Sequence, residues 1–132
     1  MFVRHRDDDA QEHCPAEDFL DNTCPESVKD NLVAIIDAVA ESPPPQFSGG
    51  GMWEAMHGEM AGFYEARTRG PNKLLYRLFC ILEQDGPGLR GPAIVVIDGL
   101  VKPVRTVARA ADYERVKRLG DEYRRRIPRN AF

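Results

Sequence analysis

Residues 74–83 read LLYRLFCILE, and this stretch decides the fold. Side chains along a strand point alternately to two faces. Here Leu75, Arg77, Phe79 and Ile81 share one face, and Tyr76, Leu78, Cys80 and Leu82 the other. Upstream, Phe63–Thr68 also alternates, and the turn Arg69-Gly70-Pro71-Asn72 separates the two runs. Downstream, the loop Gln84–Pro92, with three glycines and two prolines, leads to Ala93–Val101 (AIVVIDGLV), rich in β-branched residues. Three successive strands with hairpin-length connections predict an antiparallel meander.

Helical periods flank this meander. Val28, Leu32, Ile35, Ile36 and Val39 recur at three- and four-residue intervals, so a helix is expected from Ser27, with Ser27 as its N-cap, to Ser42. Pro43-Pro44-Pro45 cannot continue it. Phe19 and Leu20 fit an earlier turn packed against it, and Ser42–Gly51 (SPPPQFSGGG) reads as a connector. Met52, Trp53, Met56 and Met60 sit at helical spacing and predict a short second helix with a core-facing stripe. A last helix is expected over Val107–Arg126. Val107, Ala110 or Ala111, Val116, Leu119 and Tyr123 would line its buried face, and Gly120 would weaken it by about 1 kcal/mol relative to Ala. The order α-α-β-β-β-α describes an α+β domain, an antiparallel sheet packed by two N-terminal helices and one C-terminal helix. It would occupy residues 19–132, behind an acidic polar leader at residues 1–18 in which at most Phe2–His5 makes an edge strand.

The 132 residues suit one core. A composition 42% hydrophobic and 30% charged is that of a globular rather than a disordered chain. No apolar run approaches the roughly 20 residues needed to span a bilayer, and the start MFVRHRDDD lacks a signal peptide's apolar stretch, so a cytoplasmic protein without a membrane partner is expected. Cys14, Cys24 and Cys80 are an odd, sparse set that fits a reducing compartment. With His5 and His13 they match no paired metal-ligand spacing, so no metal or other cofactor is expected. Charge is unevenly placed: residues 1–50 hold three bases against eleven acids, and residues 51–132 fifteen against ten. The basic part could meet phosphates, and the acidic leader could shield that surface or simply solvate the chain.

No nucleophilic triad, Walker loop or dinucleotide fingerprint is present, and Gly86-Pro87-Gly88 is a turn between strands. His57, beside the Met stripe, reads as a surface or cap residue. What remains is basic and aromatic. Arg67 and Arg69 end the first strand, Lys73 opens the second, Tyr76 and Arg77 lie within it, and Lys102 and Arg105 follow the third. Such a sheet suits single-stranded RNA, with cations on phosphates and a phenol stacking on a base. The competing reading pairs Arg77 with Glu65 across the strands and leaves Lys102 solvated.

Met60-Ala-Gly-Phe-Tyr-Glu-Ala-Arg67, Tyr76-Arg77-Leu-Phe-Cys80 and Ile94-Val-Val-Ile-Asp-Gly99 with Lys102 together resemble the RelE/ParE toxin superfamily. The likeness is nearest to its phage-derived HigB-like branch, spans about residues 16–126, and is concentrated between Gly62 and Lys102. It implies a microbial-ribonuclease-like fold and the toxin of a type II toxin–antitoxin pair. Such a toxin is an endoribonuclease that cuts mRNA without metal, usually on the ribosome, and is neutralised by a cognate antitoxin of helix-turn-helix type. Carried over by position, Arg67 and Arg77 would bind the phosphate and Lys102 the phosphate or a transferring proton. Arg69, Lys73, Tyr76 and Arg105 would hold substrate. Leu100 stands where the family pattern has Phe, and the chain ends without a C-terminal histidine, leaving Tyr123 as the acid/base candidate. Two other readings share the fold: a non-catalytic, prophage-derived binding module, and a gyrase inhibitor of the ParE branch.

Overall fold

The computed structural model describes residues 13–42 and 51–129. The expected Phe2–His5 strand and nearly all of the Ser42–Gly51 connector lie outside these residues. Helix α1 (Pro15–Asp18) opens on a proline, whose missing N–H costs nothing in a first turn, and runs into a π-helical turn, Phe19–Thr23. Ala16, Phe19 and Leu20 are all buried. The core therefore reaches back to Ala16. Helix α2 (Glu26–Glu41) starts one residue before the expected Ser27, because the Pro25 carbonyl already accepts the Lys29 N–H at 2.9 Å. Pro25 holds the N-cap position, and Ser27 lies within the first turn. Val28, Leu32, Ile35 and Val39 form the buried stripe.

The expected Met/Trp helix is absent. Trp53–Ala55 is instead a short strand (β1), followed by a 3-10 turn over Gly58–Met60. Pairing with the next strand decides this against the helical spacing: Trp53 stands opposite Ala66 and Ala55 opposite Tyr64. The Trp53 indole stacks on Tyr64 at 5.4 Å, while Met60 packs with the cluster on the other side of the sheet. Strands β2 (Phe63–Arg69), β3 (Leu74–Glu83) and β4 (Ala93–Pro103) form the expected meander, with β1 added at the edge in the order β1-β2-β3-β4, all antiparallel. Helix α3 (Ala110–Arg125) starts later than expected. Asp112 accepts the Arg109 backbone N–H at 3.0 Å as a reciprocal cap, and Val107 is left outside the helix and 83% exposed.

The result is α+β, with a four-stranded antiparallel sheet covered on both faces. On one face α1, the π-turn and α2 pack on Tyr76, Leu78, Cys80 and Val96. On the other, α3 brings Val116, Leu119 and Tyr123 against Phe63, Phe79, Ile81, Val95 and Ile97. Gly120 faces this second cluster, and a Cβ there would stand 2.6 Å from Phe63 Cζ and 2.9 Å from its Cε1. Phe63 is itself buried in that cluster, so the ring has little room to yield. Gly120→Ala is therefore expected to destabilise by about 1–3 kcal/mol, although helix propensity alone favours Ala. Chemical denaturation reads the sign directly.

A β-bulge in β4 sets the site. Val96 pairs with Cys80 but Asp98 with Phe79, so Ile97 is an extra residue and the alternation changes phase there. Before the bulge, Val95 faces α3 and Val96 faces α2. After it, Leu100 faces α3 and Val101 faces α2. Lys102 thereby joins the α3 side, the face that also bears Arg77.

Candidate nucleic-acid interface

The α3 side of the sheet can be followed row by row. Arg67 on β2 stands directly opposite Arg77 on β3, which stands opposite Leu100 on β4. One row further on, Arg69 faces Leu75, which faces Lys102. Arg67, Arg77 and Lys102 thus share one face, with Lys102 on the diagonal from Arg77. Exposed Lys73 and Arg105 lie at the same end of the sheet, where the Val104 N–H donates to the Lys73 carbonyl at 2.7 Å. The β2–β3 hairpin and the end of β4 gather Arg69, Lys73, Lys102 and Arg105, with Arg67 and Arg77 one row inward.

Like charges directly opposite on a sheet repel, and three carboxylates offset this here. Glu65, on β2 two residues before Arg67, has a side chain only 9% exposed. Its Oε1 lies 3.6 Å from Arg77 Nε and 3.7 Å from Arg67 Nη1. Glu54 on β1 binds Arg67 Nη2 at 2.7 Å, and the Gly51 carbonyl accepts from Arg67 Nε at 2.6 Å. Asp112 stands 3.4 Å from Lys102 Nζ, tying that lysine to the first turn of α3. The cross-strand Arg77–Glu65 pair is present, and Lys102 is paired rather than merely solvated.

Glu65 Oε1 and Arg77 Nε are both buried, and neither makes a hydrogen bond within the described protein. Their 3.6 Å separation is an ion pair too wide for one. Burial raises the Glu65 carboxyl above its ordinary value, with Arg77 and then Arg67 pulling it partly back. Asp112 moves the other way, held low first by the Arg109 N–H and then by Lys102. A buried carboxylate with a raised pKa beside two guanidinium groups can accept a proton while the arginines hold an anion.

Two predicted residues fall elsewhere. Tyr76 points to the opposite face, 4% exposed and tilted against Phe19 at 6.4 Å, so it cannot stack on a substrate base. Its even position in β3 requires this once Arg77 faces α3. Tyr123 is fully buried at the other end of the sheet, under Arg129 at 5.7 Å, and its phenol is pushed up to about 12 by burial and then by Glu83. Arg129 also binds Glu83 at 3.0 Å. That corner holds the end of the described chain and cannot supply a proton near Lys102.

The structure adds residues that the sequence reading did not place at the site. A cleft of about 560 Å³ opens beside Glu65, between β1 with its 3-10 turn and the start of α3. Glu54, His57, Glu59, Glu65 and Tyr113 line it. His57 is exposed and occupies the N-cap position of the turn, as its sequence context indicated. Tyr113 meets Phe79 edge-on at 6.2 Å and 86°, which fixes its ring at the cleft wall. The Tyr113 signal was present, since it lies three residues before Val116 on the apolar stripe of α3. No group of three or more His, Cys, Asp or Glu side chains among the described residues could hold a metal ion. No helix among them is long and apolar enough to cross a membrane. No protein-family model, curated protein or solved structure matches this chain.

Proposed function

We propose that this chain is a toxin of the RelE/HigB type that cleaves mRNA by attack of a ribose 2′-hydroxyl on the adjacent phosphate. One observation carries the reading: buried Glu65 Oε1 and Arg77 Nε face each other 3.6 Å apart, lacking hydrogen bonds within the described protein, on the face shared with Arg67 and Lys102. Glu65 takes the proton of the 2′-hydroxyl as the 2′-oxygen bonds to phosphorus. Arg67, Arg77 and Lys102 hold the added negative charge of the five-coordinate phosphorane. The P–O5′ bond then breaks, and the 5′-oxygen receives a proton, for which His57 at the cleft rim is the candidate donor. The products are a 2′,3′-cyclic phosphate and a 5′-hydroxyl end. An α+β fold with a four-stranded antiparallel sheet is compatible with the family likeness read from residues 62–102. A helix-turn-helix antitoxin and the ribosome are the partners this reading implies.

The test is purified protein incubated with RNA in the presence of a chelator, with the new ends mapped chemically. Ends bearing 5′-hydroxyls are expected, and Lys102→Ala should slow their appearance by about 10²-fold while the protein unfolds at nearly the same temperature. The second reading, a non-catalytic binding module, draws on the carboxylates already seated on Arg67, Arg77 and Lys102. Absence of new ends, together with tight binding to a helix-turn-helix protein encoded beside it, would select that reading instead.

A further inference from the structure

Helix α3 turns a charged face outward, away from its core stripe of Val116, Leu119 and Tyr123. With Arg115 at its flank, this face sets Lys117, Arg118 and Arg125 against Glu114 and Asp121 around a groove of about 490 Å³. All six of these residues are exposed. The cations differ in what they hold. Arg115 Nε donates to Asp98 Oδ2 at 3.1 Å, and its Nη2 to the Gly99 carbonyl at 3.3 Å. Lys117 and Arg118 make no hydrogen bond or ion pair with another described residue, so Glu114 and Asp121 do not neutralise them.

The first described residue lies beside this face. His13 lines a cavity of about 390 Å³ together with Asp98, Arg115 and Leu119, and Arg115 lines the groove as well. Directly before His13 the sequence reads Asp7-Asp8-Asp9-Ala10-Gln11-Glu12, four carboxylates and no base. An extended chain covers about 3.3–3.6 Å per residue, so Asp7 lies within about 20 Å of His13. From Arg115 to Arg125 a helix rises about 15 Å. Six residues therefore suffice to cross the groove. A tether this short gives the leader an effective concentration of about a millimolar, which a second copy at micromolar concentration cannot match. Lys102, on the way to the end of the sheet, already holds Asp112.

We infer that residues 7–12 dock in cis on the outer face of α3, with their carboxylates on Arg118 and Lys117. The leader approaches past Arg115 and runs across the groove toward Lys117. Docked there, it neutralises α3 and leaves the cations at the end of the sheet open to an anion. The inference stands apart from the RNA-cleaving reading, since it requires only two surfaces of opposite charge.

The experiment compares amide spectra of the full chain and of Asp7→Asn/Asp8→Asn/Asp9→Asn, which alters no residue of the described core. Shifts are expected at Lys117, Arg118 and Arg125, and none at Arg69, Lys73 and Arg105. Salt at about 1 M, where the screening length is about 3 Å, should move the wild-type α3 amides toward the variant's positions. A carbodiimide, which joins carboxylates to the amines they touch, gives a second reading. Lys117 is the only lysine of α3, and its coupling to residues 7–12 should appear in monomers. Arg118→Glu, which leaves Lys117 in place, should lose that coupling, and Arg118→Lys should keep it. Shifts at Arg69, Lys73 and Arg105, or couplings to Lys73 or Lys102, would overturn the inference by placing the leader on the phosphate site. Couplings found only in dimers would overturn it in favour of a second copy. Absence of both shifts and couplings would mean a solvated leader and overturn it equally.

Discussion

Glu65→Gln is expected to lower RNA cleavage by about 10²–10⁴-fold, the largest loss from any single atom exchanged at the site. The substitution keeps the volume and removes the group that accepts the 2′-hydroxyl proton. Arg77, whose side chain is only 14% exposed, loses its facing charge, while Arg67 keeps Glu54. A stability cost of about 1–3 kcal/mol should accompany the change, and thermal unfolding separates it from the catalytic loss. The pH dependence supplies a sign. Burial raises the Glu65 carboxyl above 4.5, so wild-type cleavage should rise with pH along a limb above the ordinary carboxylate range, and the variant should lack that limb. For stability the native state binds the extra proton between 4.5 and the raised value. The contribution of Glu65 is therefore present at low pH and lost as pH rises through the folded value. The variant should accordingly gain on wild type as pH rises through that window. Unfolding midpoints across the window that moved the other way would remove Glu65 from the role.

Much of this was legible because β3 alternates without interruption. LLYRLFCILE assigns Arg77 and Tyr76 to opposite faces before any coordinates are known, so both could never serve one surface. Placing Arg77 opposite Arg67 needed only the register of one hairpin. Lys102 was different. Strict alternation from Val95 would have sent it to the α2 side, and the phase change at Ile97 returns it to Arg77. The clue was Asp98-Gly99 inside an apolar strand, since an isolated glycine in a strand often marks a bulge. The Met52–Met60 stretch misled for a related reason. Its spacing fits a helix, but pairing with β2 captured Trp53–Ala55 as an edge strand, and that strand brings Glu54 to Arg67 and His57 to the cleft. Asp112 and Tyr113 reach the site only through how α3 docks, which no local pattern encodes.

Gly99→Ala should cause the largest loss of stability from adding a single methyl group. A Cβ at this position would lie 2.0 Å from Phe19 Cδ1, 2.3 Å from Cε1 and 2.4 Å from Cγ, well inside van der Waals contact along one whole edge of the ring. Phe19, the first residue of the π-turn, is 7% exposed and set against Tyr76, so relief requires α1 and the turn to move off β4. The expected cost is about 3 kcal/mol, at the upper end for overpacking. For a chain of this size that is a fall in melting temperature of roughly 10 °C. Phe19→Ala alone should also destabilise, by about 3–5 kcal/mol. The double variant should lose clearly less than the two single losses added, because the ring that meets the new methyl is gone. Simple additivity would mean that glycine is required for another reason, such as the backbone of the bulge. The same position bears on function. Gly99 and Lys102 lie three residues apart on one strand, yet Gly99 faces Phe19 and Lys102 faces Asp112. A Gly99→Ala protein held well below its melting temperature should therefore still bind phosphate at Arg67, Arg77 and Lys102, with the glycine serving the packing of α1 and the lysine serving the anion.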